Sequence, residues 1–364
     1  MKHLVILAPN WLGDAVMALP AIADVRRAQP DVMITVAARP AVAPLFALVP
    51  GVDGTIVLDR RASLGDIGSW RAIGAELADK KFDTALLLPN SIHSALVASR
   101  AGIPERWGYR TPFRGRLLTR AVARGSGLHQ VEAYRLLVRE LGFPNGSSEP
   151  RIDVPDAARV EGDRLLADAG WDKTAPLVAL APGAAYGGAK RWAPESFADL
   201  ASALTADGVA CVMIGSAADA PTASDVLQAG DPERVALRRP TDEARAFPAV
   251  ARHETERASA RQAGVINLVG RTTLPALAGV LTRCRALVTN DSGAMHLAAA
   301  AGVAVTAVFG PTDERATRPL GDAHTVIAHP VWCRPCMLRE CPIDHRCMSG
   351  VRVATVLDAA RRTL

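Results

Sequence analysis

The sequence has 364 residues, 49% hydrophobic and 22% charged, with a formal net charge of +5 at pH 7. This length predicts two domains, the composition excludes a disordered chain, and the positive charge indicates anionic partners. No apolar run approaches 18 residues, and "MKHLVILAPN" lacks a signal-peptide cleavage pattern, so we expect a cytoplasmic protein with reduced cysteines.

Short apolar runs alternate with amphipathic segments through the first 142 residues. Strands are predicted at "HLVILAP", "VMITVAA", "GTIVLD" and "DTALLLPN", which are continuously apolar, as strands buried on both faces are. Helices are predicted at 13–29, 41–49, 65–80, 91–101 and 129–142. This alternation predicts a parallel, doubly wound sheet in a first domain, residues 1–150.

The pattern breaks at "GFPNGSSEPRIDVP" and starts again at residue 176. We interpret 151–175 as a linker, 176–349 as a second domain of the same kind and 350–364 as a C-terminal helix. Strands of the second domain are predicted at "PLVALAPGA", "GVACVMIGS", "GVINLVGR", "RALVTNDSG" and "AVTAVFGP", with helices at 194–206, 217–229, 273–284 and 294–302. A charged stretch, 230–263, is interpreted as an inserted surface loop. The predicted fold class is therefore α/β, with two similar domains facing each other across a cleft.

Ligands of open α/β sheets bind beyond the carboxyl ends of the strands. This rule selects five segments of the sequence: "APNWLGD", "LPNSIH", "APGAAYGGAKRW", "IGSAAD" and "TNDSGAMH". Three of them carry residues whose chemistry supports a site.

The segment "APGAAYGGAKRW" joins a predicted strand to a predicted helix and contains three glycines before Lys190. Glycines let backbone amides approach an anion and a lysine supplies a charge, which favours a phosphate site. The Walker A spacing is absent. The alternative is a flexible connection with a solvated basic pair.

In "TNDSGAMH", Asp291 and Ser292 are residue types that begin helices, and Gly293 permits close approach of a ligand. The N-terminus of a buried helix is a site for anions, and His296 lies one turn into it. The alternative is an ordinary helix cap above a core histidine.

In "NWLGDAV", Gly13 permits a tight turn and Asp14 either caps the first helix or serves as a general base. The sequence has no G-x-G-x-x-G after the first strand, which disfavours a nicotinamide dinucleotide fold. It also contains no Asp-x-Asp, so a metal-bridged sugar diphosphate is not indicated.

The segments "LGDAVMALPAI", "PGAAYGGAKRW" and "TNDSGAMHLAAAAGVAVTAVFGPTD" resemble, in this order, motifs of the bacterial lipopolysaccharide heptosyltransferases, glycosyltransferase family nine. The resemblance covers nearly the whole chain and is strongest to the type II members. It implies a GT-B fold, an ADP-heptose donor and transfer to the first heptose of the lipid-anchored inner core with inversion. No cofactor is required, and the enzyme is expected to be peripheral to the inner face of an anionic inner membrane.

Site residues follow from this resemblance position by position. Asp14 matches the family's catalytic base, and Lys190 matches the lysine at the donor phosphates. The donor-binding residues are Tyr186, Lys190, Asp219, Asp291, Ser292, Gly293 and His296. Apart from these matched positions, Asn10, Trp11 and Gly13 are expected to border the acceptor, and Arg114, Arg116 and Arg120 are expected to bind it because they belong to a basic stretch.

Residues 100–124 contain seven arginines and one acid, Glu105. A solvated basic face is one interpretation, and nucleic-acid binding is disfavoured because no binding motif is present. We expect recognition of an acidic, phosphate-rich acceptor at an anionic membrane.

Four cysteines, Cys333, Cys336, Cys341 and Cys347, have the spacing C-x2-C-x4-C-x5-C, in a segment similar to a cysteine-rich segment of the type II members. A structural zinc site and a cluster of reduced thiols are the two interpretations. Cys211 and Cys284 are predicted to be core residues.

The sequence is compatible with three functions. Glycosyl transfer is favoured. The alternatives are a nucleotide-sugar epimerase, or another transferase, on the same fold, and a non-catalytic binder of nucleotide sugars or of nucleic acid.

Overall fold

The computed structural model describes residues 1–59, 67–231, 261–262 and 264–364. The charged insertion predicted at 230–263 lies outside the described residues except for two residues at its start and two near its end. The described chain forms two compact units. Unit 1 contains 1–154, 299–301 and 315–321, and unit 2 contains the rest.

Unit 1 is built on a six-stranded parallel sheet in the order β3-β2-β1-β4-β5-β6. Its strands are β1 (His3–Leu7), β2 (Met33–Ala38), β3 (Gly54–Val57), β4 (Thr84–Leu87), β5 (Glu105–Tyr109) and β6 (Arg120–Val122). Its helices are α1 (Leu12–Met17), α2 (Leu19–Ala28), α3 (Ile67–Ala78), α4 (Ile92–Arg100) and α5 (Gln130–Glu140). The strand order reverses between β1 and β4, so the ligand crevice of such a sheet is expected at their carboxyl ends.

Unit 2 contains a seven-stranded sheet in the order β13-β12-β11-β7-β8-β10-β9, parallel except for β9. Its strands are β7 (Leu177–Ala181), β8 (Ala210–Met213), β9 (Arg261–Gln262), β10 (Val265–Asn267), β11 (Ala286–Asn290), β12 (Ala304–Phe309) and β13 (Thr325–Ala328). The remaining helices are α6 (Asp156–Asp168), α7 (Pro194–Ala206), α8 (Ala220–Ala229), α9 (Leu274–Leu281), α10 (Gly293–Ala300), α11 (Glu314–Thr317), α12 (Arg346–Ser349) and α13 (Val353–Arg361). Here the strand order reverses between β7 and β11.

The central strands carry the core of each unit. Every residue of β4, β7, β8 and β11 is buried, which explains why these strands are apolar without alternation, except for Thr84 at the start of β4 and Thr289 and Asn290 at the end of β11. In unit 2, β7 and β8 pack against the apolar face of α7, which includes Phe197 and Leu200.

Several elements differ from the sequence predictions. The helix predicted at 13–29 is two helices that meet at Ala18, with Pro20 in the first turn of the second, where its missing N–H is tolerated. The segment predicted at 41–49 is a 3-10 helix, Ala43–Leu48. Strands β5, β6 and β13 were not predicted, because each is short or interrupted by charge and polar residues.

The predicted linker 151–175 contains helix α6. The spacing of its buried residues Ala158, Leu165 and Leu166 is helical, and Gly162 lets the α6 backbone approach the α9 backbone at Gly279. Among the described residues, no helix is long and apolar enough to span a bilayer.

Candidate active-site residues in the two units

Lys190 and Asp291 lie together where the strand order of unit 2 reverses. Lys190 is on the segment that follows β7, and Asp291 directly follows β11. Lys190 Nζ is 2.5 Å from Asp291 Oδ2, and the two side chains are 13% and 7% exposed. A partly buried ion pair at this position fits the general location of ligand sites in such sheets.

Thr312 is a third member of this cluster, and the sequence analysis did not select it. Its hydroxyl donates to Asp291 Oδ2 at 2.7 Å, so one carboxylate oxygen accepts from both Lys190 and Thr312. The available signal was its place in "FGPTD", directly after the carboxyl end of β12.

Asn290 connects the two strand ends and was also not selected. Its amide donates to Pro182 O at 2.7 Å, and its oxygen accepts from Trp192 N at 3.0 Å. Because Asn290 and Trp192 are fully buried, these bonds fix the start and end of the segment that carries Lys190.

The ring of Tyr186, which is on the same segment as Lys190, contacts two cations. Lys190 Nζ is 4.8 Å and the Arg339 guanidinium 5.3 Å from the centre of its ring, and its hydroxyl donates to Met337 O at 2.8 Å. The side chain of Tyr186 is therefore held on both its ring and its hydroxyl.

The glycines before Lys190 have a different role from the one predicted. A Cβ on Gly183 would collide with the Asp219 carboxylate, and a Cβ on Gly187 or Gly188 would collide with Arg339 or Glu340. The amide of Gly188 already donates to Glu340 Oε1. These glycines make room for other parts of this chain. The prediction of an anion site is therefore supported by the charge of Lys190 and not by backbone amides that the glycines would expose.

Asp219 is the last residue of a short 3-10 helix, Ala217–Asp219, whose N-cap is Ser216. Its Oδ2 accepts from Ser216 N at 2.9 Å and from Ser216 Oγ at 2.7 Å, which forms a capping box after β8. It also lies against Gly183 at the end of β7. Its assignment to the donor remains a prediction.

Ser292, Gly293 and His296 lie at the start of α10. The hydroxyls of Ser292 and Thr289 are 3.0 Å apart, and His296 is 5% exposed, as buried as Asp291. This eight-residue helix begins at Gly293, two residues after Asp291, so Asp291 and Ser292 precede its N-terminus as predicted from the sequence. Donor contact by these three residues is not tested by the geometry and remains a prediction.

Asp14 is the third residue of α1, beyond the carboxyl end of β1 in unit 1. Trp11 occupies the N-cap position and makes no side-chain cap bond. Burial, together with the nearby charge of Asp14, raises the pKa of the Tyr134 phenol, which places Asp14 near α5. Asn10 and Trp11 are exposed, Trp11 by 56%, while Gly13 and Asp14 are partly buried.

A cavity of about 180 Å³ lies at the same end of the unit 1 sheet. Its polar lining comes from residues that follow β1, β2 and β4, namely Asn10, Arg39, Ser91, His93 and Ser94. Arg39 and His93 were not selected from the sequence, although His93 belongs to the strand-end segment "LPNSIH". This crevice is where the strand order of unit 1 reverses.

Arg114 differs from the sequence prediction. It is 0% exposed, and its guanidinium donates to Tyr109 O at 2.8 Å and to Leu87 O at 3.3 Å. Burial lowers the pKa of the Arg114 guanidinium to about 10. Arg114 therefore binds backbone carbonyls at the ends of β4 and β5 rather than an acceptor. Arg116 and Arg120 are exposed, and Arg120 lies 5.2 Å from the centre of the Trp107 ring.

Cys211 and Cys284 are buried, as predicted. The four remaining cysteines line one small cavity of unit 2. Among the described residues, no group of three or more His, Cys, Asp or Glu side chains is positioned to hold a metal ion.

Comparison with known proteins connects these residues to a family. Residues 70–237 and 243–346 match the sequence model of glycosyltransferase family 9 (heptosyltransferase). Lipopolysaccharide heptosyltransferase 2 of Salmonella typhimurium is 31% identical over 336 residues, which cover 90% of this chain and 88% of that protein, and the Escherichia coli K12 protein of the same name gives the same values.

The fold has close counterparts among solved structures. That of E. coli ADP-heptose lps heptosyltransferase II superimposes with a TM-score of 0.79 and 29% identity, covering 100% of this chain and 98% of that one. A family 9 glycosyltransferase from Veillonella parvula also gives 0.79, at 21% identity. These matches confirm the predicted GT-B fold class.

Proposed function

Because the chain belongs to glycosyltransferase family 9 and is a glycosyltransferase of the lipopolysaccharide heptosyltransferase II type, we propose that it transfers L-glycero-D-manno-heptose from ADP-heptose to the first heptose of the lipopolysaccharide inner core. The observation that carries this proposal is the identity of 31% over 90% of the chain. The partly buried Lys190–Asp291 pair at the strand-order reversal of unit 2 supports it.

In this proposal unit 2 binds the donor. Lys190 contacts the diphosphate of ADP-heptose, and the N-terminus of α10 adds its partial positive charge. As the glycosidic C–O bond breaks, negative charge grows on the leaving ADP. Lys190 and the helix terminus stabilise that charge more strongly than the charge of the bound donor, which lowers the barrier.

Unit 1 binds the acceptor. The carboxylate of Asp14 accepts the proton of the acceptor hydroxyl while the hydroxyl oxygen forms the new bond to the anomeric carbon. Attack from the face opposite ADP inverts the anomeric configuration in one displacement. Asn10, Trp11 and Gly13 border this position at the end of β1.

The transfer itself needs no cofactor in this proposal. The charge of the leaving diphosphate is met by Lys190 and a helix terminus, and the sequence has no Asp-x-Asp through which a metal would bridge a sugar diphosphate. The enzyme would act in the cytoplasm at the inner face of the inner membrane, where the lipid-anchored acceptor lies, with no role for nucleic acid.

Acceptor-dependent release of ADP tests the proposed reaction. With ADP-heptose and a heptosylated inner-core acceptor, we expect ADP and an extended acceptor in equal amounts, and little ADP without acceptor. Equal ADP release with and without acceptor would contradict a transferase and indicate donor hydrolysis.

The exposed arginines of unit 1 give a second test. Replacing Arg116 and Arg120 with Ser should raise the KM for acceptor, up to about 30-fold if each contributes about 1 kcal/mol of attraction to anionic groups. The KM for ADP-heptose should not change. Arg114 is left intact because it is buried.

Steady-state kinetics against both substrates measure this effect, with the exposed Arg151→Ser as a matched control. Added salt should raise the wild-type acceptor KM in the same direction, because exposed charges are screened within roughly 8 Å at physiological ionic strength. An acceptor KM that neither the double variant nor salt alters would show that these arginines are only a solvated face.

A further inference from the structure

An irregular segment of unit 2 carries three of the six cysteines, none of which the proposed transfer uses. Residues 329–345, which we call the cysteine strap, join β13 to α12 without regular secondary structure and are mostly exposed. The strap carries Cys333, Cys336 and Cys341, and Cys347 follows on α12. A segment of this length and exposure has few apolar contacts to fix it.

The four thiols converge on one place. Cys333, Cys336, Cys341 and Cys347 all line a cavity of about 20 Å³, which is room for roughly one water molecule. Cys347 is buried, whereas Cys336 and Cys341 are exposed. The amide of His345 donates to Cys341 Sγ at 3.3 Å.

The strap also holds the segment that carries Lys190. Arg339 O accepts from Ala189 N at 2.9 Å, and Glu340 Oε1 accepts from Gly188 N at 3.0 Å. His345 Nε2 is 2.7 Å from Ala189 O, and Ala189 itself lines the thiol cavity. Together with the bond from Tyr186 to Met337, these contacts fix residues 186–189 against the strap.

We propose that the four thiols bind one thiophilic metal ion, and that this ion fixes the cysteine strap against the segment Tyr186–Lys190. Four sulfur ligands favour zinc or iron in tetrahedral geometry. On binding, each thiol loses its proton to solvent as its sulfur–metal bond forms. The role is structural, because four protein ligands leave no open position on the metal.

To bind the ion, the four thiols must turn toward the centre of the cavity. In the described residues they line the cavity without being positioned to hold an ion. A cysteine side chain reorients by rotation about one bond, χ1, and three of the four cysteines are on the irregular strap. The reduced, metal-free cluster is the competing outcome.

Metal content tests the proposal without any substrate, so its failure and a failure of the proposed transferase function are distinguishable. The full chain is purified with a reducing agent and without chelator, and its metals are measured by inductively coupled plasma mass spectrometry. We expect about one zinc or iron ion per chain in the wild type. The element found identifies the ion.

The metal content of two variants is compared with that of the wild type. The double variant Cys336→Ser/Cys341→Ser changes exposed side chains that carry no core packing and should retain less than about a tenth of the metal. Cys284→Ala removes a thiol from the core instead and should retain it all. Wild-type protein that holds no metal as purified and retains none after incubation with Zn²⁺ and gel filtration overturns the proposal.

Hydrogen exchange tests the coupling to the Lys190 segment. Removing the metal with a chelator should speed exchange of the Gly188 and Ala189 amides, whose acceptors are both on the strap. Amides of the unit 1 sheet should not change. Unaltered exchange at Gly188 and Ala189 after complete removal of the metal would overturn the coupling.

Discussion

Replacing Asp14 with Asn should lower kcat by at least about 10²-fold, the lower end of what a general base contributes. The Asn side chain keeps the size and shape of Asp14 but cannot accept the proton of the acceptor hydroxyl. Because Asp14 is in unit 1 and the proposed donor residues are in unit 2, the Kd for ADP should stay at its wild-type value. Steady-state kinetics and calorimetric titration with ADP measure the two quantities.

The matched control for this variant is Asp31→Asn, which removes an exposed carboxylate from the same unit. Its kcat should equal that of the wild type. Both variants should keep the wild-type Tm within a few degrees. An Asp14→Asn enzyme that turns over at nearly the wild-type rate would refute the assignment of the base.

Replacing Lys190 with Ala should weaken ADP binding and lower kcat together, the latter by about 10² to 10³, as loss of a charge-stabilising donor does in other active sites. The Lys190 charge acts on the bound diphosphate and on the leaving group. The same variant should be less stable, because it leaves the Asp291 carboxylate, 7% exposed, without its cation.

A double variant separates these two consequences. Lys190→Ala/Asp291→Asn removes both charges, so it should recover most of the lost stability, since no unpaired buried carboxylate remains. It should not recover affinity for ADP. Lys173→Ala, at an exposed lysine of unit 2, serves as the control and should change neither property.

Calorimetric titration with ADP and thermal unfolding give the required values. If the double variant bound ADP as tightly as the wild type, Lys190 would be only the partner of a structural ion pair, and the donor would be held elsewhere.

Periodicity predicted the core strands of both sheets because strands buried on both faces are mainly apolar and do not alternate, as in β4, β7 and β11. Strand β6 was not predicted because it has only three residues, two of them exposed, and lies at the edge of the unit 1 sheet. Helix α6 was not predicted because the turn-rich sequence before it suggested a linker, although the buried residues of α6 have helical spacing.

The site was predictable where a residue follows a strand end. Lys190 and Asp291 were selected for that reason, and the structure brings them to 2.5 Å. The role of the glycines before Lys190 was not predictable, because a glycine that admits a phosphate and one that admits Glu340 look the same in a sequence.

The role of Arg114, a charged residue, was also not predictable from the sequence. In the sequence it is one of seven arginines in a basic stretch, and a solvated face or an acceptor site was the natural expectation. Only the fold shows that its guanidinium lies between the ends of β4 and β5, bonded to carbonyls. Arg116, two residues later, is exposed.

The proposed heptose transfer is best tested by an assay with ADP-heptose and two truncated inner-core acceptors, one carrying no heptose and one carrying a single heptose. The products are separated and identified by mass spectrometry. We expect that only the acceptor with one heptose gains a second heptose, and that ADP forms in an equal amount. Extension of the acceptor without heptose, or no extension of either acceptor by an enzyme that binds ADP, would contradict it.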